Sequence, residues 1–143
     1  EFTVALWGNG TVEALPLTEV DFSALPPAMP RIRTYDAKWD AASPAYHATK
    51  LVQASDVPPD LQNRIERVAR AAYRAFGLRD YGRVDIRVRD NTPFVIDVNA
   101  HPDITAEGSF FATAQFGGYA YSAMLGRIVR LAIARAENNS RPR

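Results

Sequence analysis

"RVDIRVRDNTPFVIDVN", residues 83–99, alternates apolar and polar positions, breaks at "DNT", and alternates again. In the first half Val84, Ile86 and Val88 share one face, and Arg83, Asp85, Arg87 and Arg89 share the other. In the second half Phe94, Ile96 and Val98 form one face, opposed by Val95, Asp97 and Asn99. Two such runs joined by a short turn predict an antiparallel hairpin. Centring that hairpin on Asn91 sets Asp85 directly across from Asp97 and Arg83 across from Asn99. Opposed Cβ atoms in such pairs sit about 4.5–5.5 Å apart, so the two carboxylates repel unless something positive lies between them. A divalent cation is one candidate, because Asp, Asp and Asn supply the hard oxygens that Mg²⁺ takes together with phosphate oxygens. On that reading, removing the Asp85 charge relieves repulsion in the metal-free fold. The same residues also fit a solvated face on which both aspartates pair with Arg83, Arg87 or Arg89. The pairing depends on the turn centre, since a slip of one residue breaks it.

Outward from the hairpin the pattern is mixed. "FTVALW" and "TVEAL" flank "GNG", a turn able to take positive φ, so residues 2–15 read as a second hairpin, with "LTEV" at 17–20 as a third strand. The proline-rich stretch 21–60 reads mainly as loop, with a short extended piece around "RIRTYDAKW". "DLQNRIERVARAAYRAFG" spaces Leu61, Ile65, Val68, Ala72 and Phe76 by three and four, after Pro58 and Pro59 and before Gly77, which predicts a helix. "EGSFFATAQF" predicts a short helix closed by Gly117 and Gly118. A last helix from about Ser122 is expected to bury Met124, Leu125, Ile128, Val129, Leu131 and Ala132, with "AENNSRPR" as a fraying tail. This order predicts an α+β domain, an antiparallel β-sheet backed by helices.

The bulk composition narrows the function classes. A chain of 143 residues, 47% hydrophobic and 23% charged, suits one globular domain with a real core. No apolar run approaches the ~20 residues of a membrane-spanning helix. With 17 Lys+Arg against 16 Asp+Glu, the net charge of +1 gives no electrostatic case for nucleic acid. Cysteine is absent, so disulfides and Cys–zinc sites are excluded, and the reducing cytoplasm is a compatible setting. The chain opens at Glu1 without Met and enters an apolar strand at once, which reads as a piece of a longer protein.

"EFTVALWG" at the start, "YDAKW" at 35–39, "GRVDIR" at 82–87, "VIDVNAHPD" at 95–103 and the closing "GRIVRLAIAR" follow one another in the order and spacing of a known family. The chain resembles the C-terminal half of an ATP-grasp ligase, of the D-alanine–D-alanine ligase-like family, over nearly all of its length. The resemblance implies that residues 1–143 are the C-terminal subdomain of an ATP-grasp fold whose upstream half lies outside this sequence. It implies ATP and Mg²⁺ (or Mn²⁺) as cofactors, small carboxylate and amine substrates of the amino-acid kind, a role in peptidoglycan synthesis, and a homodimer through the full-length protein. Glu1 then matches an acidic residue that approaches the nucleotide ribose, Lys38 a lysine on the ATP phosphates, and Ile96 an apolar residue against adenine. Asp85, Asp97 and Asn99 match metal ligands, and Arg83 an arginine that stabilises charge during acyl transfer. The implied chemistry is carboxylate activation as an acylphosphate, followed by amine attack.

The departures bear on the substrate. Asp97 stands where the family usually has Glu, and Trp39 where it usually has Tyr. After Asn99 the chain reads "AHPDITAEGSF" in place of a proline-glycine-methionine run with a downstream Ser-Leu that helps bind the second D-alanine. Trp39, His101, Asp103, Gly108 and Ser109 are therefore the expected substrate-side residues, for an acceptor that differs from D-alanine. Two other functions fit the carboxylate pair: a metal-dependent phosphoester hydrolase without nucleotide, and a non-catalytic domain of ATP-grasp descent.

Overall fold

The structure, a computed structural model, describes residues 1–140 apart from the side chain of Trp39. Its centre is β1 (Phe2–Trp7), which pairs antiparallel with β5 (Tyr81–Arg89) along its whole length. The other edge of β1 is shared by β2 (Glu13–Ala14) and β3 (Thr18–Asp21), and β3 carries β4 (Lys50–Gln53) beyond it. β6 (Thr92–Asn99) closes the opposite edge, giving the order β4-β3-β1-β5-β6 with every pairing antiparallel.

Strand alternation divides the core between the two faces of the sheet. Val4, Leu6, Val84 and Ile86 point to one side and pack on Leu61, Ile65, Ala69 and Tyr73 of α3 (Pro59–Ala75). Ala5 and Trp7 point to the other and pack on Phe110, Phe111 and Ala114 of α4 (Ser109–Phe116) and on Met124 of α5 (Tyr121–Asn139). Covered on both faces, β1 is an almost unbroken apolar run. A small satellite core of Leu25, Ala37 and Ala45 sits beneath two short helices, α1 (Tyr35–Trp39) and α2 (Pro44–Ala48).

α3 begins with Pro59 at its first position, where the missing N–H costs nothing. It ends in a Schellman arrangement: Gly77 takes φ +64°, and the Leu78 N–H returns to the Tyr73 carbonyl at 3.0 Å. That cap turns Phe76 outward, so it is 70% exposed rather than on the buried face. The stripe in fact follows Leu61, Ile65, Ala69 and Tyr73, with Val68 and Ala72 at its margin. On α5 Val129 is likewise exposed instead of buried, and the helix runs on to Asn139, so the expected frayed tail is helical up to that residue.

The stretch 21–60 also departs from the loop reading. "YDAKW" is a turn of helix, not an extended piece, because the Thr34 side chain accepts the Ala37 N–H. Ser43 caps α2 in the same way, with Pro44 at its first position. Helices this short carry too few residues to display a 3.6-residue period, so only their caps announce them.

The hairpin of β5 and β6 holds the expected pairs, Asp85 with Asp97 and Arg83 with Asn99. They arise in two steps. The turn consists of Asp90 and Asn91 alone, at φ +51° and +58°, the left-handed pair of a two-residue hairpin. This turn pairs Arg89 with Thr92 and Ile86 with Val95, one residue short of the expected register. A β-bulge between Asp85 and Ile86 then inserts Ile96 and restores the offset. The bulge also reverses the expected faces of β6 near the turn. Val95 shares the Ile86 side, and Phe94 lies across from Arg87 on the charged side.

Candidate active site

The charged face of β5 and β6 looks toward the α4 side of the sheet, where Arg83 and Ser109 meet. There it floors a cavity of about 690 Å³. One wall carries the cations Arg33, from the segment before α1, Lys38 of α1 and Lys50 of β4, together with His47 of α2. Facing it are Asp97 and Asn99 of β6 and the loop that runs through His101, Asp103 and Glu107 to Gly108 and Ser109 at the start of α4.

Arg83 organises the floor. Its Nε and Nη2 donate to Oδ1 and Oδ2 of Asp85, both at 2.9 Å, and its Nη1 donates to the Ser109 hydroxyl at 3.2 Å. Nη2 also lies 3.8 Å from the Asp97 carboxylate, whose side chain is 53% exposed. The positive charge between the two carboxylates is therefore Arg83 itself. Asp85 is buried and additionally accepts the Thr3 hydroxyl at 3.2 Å, from the neighbouring strand. The picture of two mutually repelling carboxylates is corrected accordingly: Asp85 is a fully partnered ion, and losing its charge strands a guanidinium.

The loop after β6 is built from side-chain-to-backbone turns. Asn99 Oδ1 accepts the His101 N–H, and Asp103 Oδ1 accepts the Thr105 N–H, each at 2.9 Å. Gly108 is required by close approach, since a Cβ there would lie 2.5 Å from the Asp103 carbonyl oxygen. The loop is thus folded tightly onto the root of α4.

Of the residues singled out in the sequence, Lys38, Arg83, Asp97, Asn99, His101, Asp103, Gly108 and Ser109 all line this cavity. Asp85 lies just beneath it, bound to Arg83. Glu1 is set apart: its side chain is 6% exposed, 3.9 Å from Arg87, and its Oε2 has no hydrogen-bond donor among the described residues. Ile96, the bulge residue, stands half exposed outside the cavity lining. The Trp39 side chain lies outside the described residues. Missing from the sequence reading were Arg33, Tyr46, His47, Lys50 and Glu107, which also line the cavity. The first four sit in the stretch taken as loop, where the Thr34 and Ser43 caps were the available signals.

The donor set suits a hard divalent cation. Asp97 and Asn99 offer hard oxygens to the cavity, while both oxygens of Asp85 are engaged by Arg83. Among the described residues no cluster of three or more His, Asp or Glu could enclose a metal. The chain would therefore supply few ligands and leave the remaining positions to phosphate and water oxygens, the usual state of nucleotide-bound Mg²⁺.

An antiparallel sheet covered by helices is the fold of the C-terminal ATP-grasp subdomain of solved D-alanine–D-alanine ligases, on which the chain superposes. The family model described as D-ala D-ala ligase C-terminus matches residues 1–130, and the chain belongs to that family. It is 28% identical over 133 residues to a D-alanine–D-alanine ligase of Desulforamulus reducens, covering 93% of this chain and 39% of that protein. It is 31% identical over 140 residues to the uncharacterized protein y4sG of Sinorhizobium fredii, covering 97% of this chain and 40% of that one. The Bacillus anthracis D-alanine–D-alanine ligase solved in complex with ATP superposes with a TM-score of 0.73 at 20% identity, over 97% of this chain and 40% of its own. The chain thus spans about two fifths of the length of these relatives.

Proposed function

We propose that this chain is the C-terminal catalytic subdomain of a longer, ATP-dependent carboxylate–amine ligase working in the cytoplasm. The observation that carries the reading is the register of β5 on β6. It pairs Asp85 with Asp97 and Arg83 with Asn99 at the floor of a cavity whose opposite wall bears Lys38.

In the reaction, an oxygen of the substrate carboxylate attacks the γ-phosphorus of ATP. The new O–P bond forms as the bond to the bridging oxygen breaks, and ADP leaves. The amine lone pair then adds to the acylphosphate carbonyl carbon. The C–O bond to phosphate breaks, phosphate departs with that electron pair, and the nitrogen releases a proton. Lys38 binds the phosphate chain, and Arg83 holds the negative charge that gathers on the transferring group and on the tetrahedral oxygen. Asp97 and Asn99, which open on the cavity, would hold Mg²⁺ or Mn²⁺, with Asp85 behind them anchoring Arg83, and the ion would lower the charge barrier between nucleotide and carboxylate. The buried, donor-less Oε2 of Glu1 suits the ribose hydroxyls, since a buried carboxylate oxygen needs a donor. Half-exposed Ile96 suits the adenine face.

On the acceptor side, Asp103 and Glu107 bring negative charge to the loop leading into α4, together with His101 and the Gly108–Ser109 start of the helix. Carboxylates there oppose a second carboxylate and favour an acceptor without one at that end. The test is ATP turnover by the protein carrying this chain across a panel of D- and L-amino acids and simple amines. The expected products are an amide, ADP and phosphate. Phosphoester cleavage without ATP overturns the reading in favour of a hydrolase, and absence of nucleotide binding overturns it in favour of a non-catalytic domain.

A further inference from the structure

Arg33 belongs to no helix or strand, and its segment is anchored on both sides of it. Arg87, on the charged face of β5, donates through Nη2 to the Arg31 carbonyl at 2.9 Å, which straps the segment before α1 to the sheet. Thr34, the next residue, caps α1. Between these two anchors the Arg33 side chain enters the cavity that Arg83 floors.

Its surroundings are wrong for an idle cation. Burial disfavours its charge first, and the neighbouring Arg83 guanidinium does so next. Asp85 and Glu1 act in the opposite direction. The Asp85 oxygens, however, are already taken by Arg83 and Thr3, and Glu1 faces Arg87. The Nε–H of Arg33 is buried and finds no acceptor among the described residues. Lys38 and Lys50 add further positive charge to the same space. A desolvated donor beside a like charge costs free energy unless an anion fills the gap. A guanidinium fork matches phosphoryl oxygens two at a time.

We infer that Arg33 is a second phosphoryl-binding guanidinium, acting with Arg83 on the group that passes from nucleotide to carboxylate. This rests on the ligase reading and adds a residue to it. In that role Arg33 holds phosphoryl oxygens while Arg83, tied to Asp85 and Ser109, stays fixed below.

The probes are tripolyphosphate, ATP and adenosine, each titrated calorimetrically with Mg²⁺ into the protein that carries this chain, its Arg33→Gln and Arg33→Lys variants, and Arg64→Gln on α3 as a control. Arg33→Gln is expected to weaken tripolyphosphate and ATP by about tenfold or more, as loss of a charged hydrogen bond does. Arg33→Lys should recover part of that loss, and Arg64→Gln should match wild type. The ligand-free melting temperature of Arg33→Gln should equal or exceed wild type, because relieving like-charge crowding offsets the lost contacts. Wild-type affinity in Arg33→Gln overturns the inference and leaves the ligase reading intact. A lower ligand-free melting temperature that accounts for the weaker binding makes Arg33 structural and overturns it as well. Weakening of ATP with tripolyphosphate unchanged moves the contact to the nucleoside, again against it. Failure of wild type to bind either phosphate compound overturns this inference together with the function it rests on.

Discussion

Asn9 and Asp80 clasp each other: the Asn9 amide donates to Asp80 Oδ1 at 2.8 Å, and the Asp80 N–H returns to Asn9 Oδ1 at 3.0 Å. The same carboxylate receives Arg135 from α5 at 2.8 Å, while the Gly8 N–H donates to the Asp80 carbonyl. One residue at φ +67° thereby ties the first hairpin turn, the start of β5 and the last helix together.

That clasp sets a pH dependence. The hydrogen bond from Arg135, aided by Asn9, holds the Asp80 carboxyl below its ordinary value against the opposing effect of burial. A depressed folded-state value means the stabilisation is complete above the unfolded value of about 3.9 and is lost as pH falls through the lower one. Asp80→Asn keeps the tolerance for positive φ but removes the charge. Urea midpoints of wild type and variant should differ most above about pH 5 and converge in acid below pH ~3.9. A gap independent of pH would count against the ion pair.

Tyr73 is expected to behave in the opposite sense. Burial, with a smaller effect from Asp80, pushes its phenol up to about 12, and its hydroxyl donates to the Gly8 carbonyl at 3.0 Å. A raised value means stability is kept below the unfolded phenol value of about 10 and lost as pH climbs toward the folded one. Ultraviolet titration should find one late-ionising tyrosine that Tyr73→Phe removes. The variant should lose about 0.5–1.5 kcal/mol at neutral pH.

Asp85→Asn should lower stability by about 1.5–3 kcal/mol, because Arg83 loses a charged partner inside the fold. Activity of the protein carrying the chain should fall as well. Denaturant unfolding without metal reads the first effect. A variant as stable as wild type would mean that repulsion from Asp97 cancels the pair.

Gly108→Ala should cost about 1–3 kcal/mol, since its Cβ would overlap the Asp103 carbonyl and displace the loop. Substrate affinity should weaken more than ATP affinity, because that loop is the proposed acceptor side. Equal losses in both would show that the loop serves the nucleotide.

How much of this was written in the sequence differs by region. The two hairpins, α3 and the ordered motif set were readable because alternation and helical spacing persist over many residues. The Asp85–Asp97 pairing was also readable, although its stated cause was incomplete. The expected turn centre ignored the preference of Asp90–Asn91 for a two-residue turn, and an unforeseen bulge at Ile96 made up the difference. Arg33 and Lys50 were missed because the elements around them are short: Arg33 precedes the single turn of α1, and Lys50 opens the four-residue strand β4 after the single turn of α2, with no period to detect. Phe76 was misplaced because the helix caps there, at Gly77, and Val129 because spacing alone does not fix which way a helix is rotated against the sheet.

The bulge has a consequence for how such a protein can vary. By absorbing one residue midway along the hairpin, it gives the tip and the root of β5–β6 separate indices. A lengthened or shortened turn changes the pairing only on the Ile86–Val95 side, provided the bulge is gained or lost with it. Asp85, Asp97, Arg83 and Asn99 stay opposed through such an edit. With that proviso, the end of this ribbon that carries Asp85 and Asp97 is insulated from insertions and deletions at its far end, where a simple two-stranded ladder would carry every shift along its whole length.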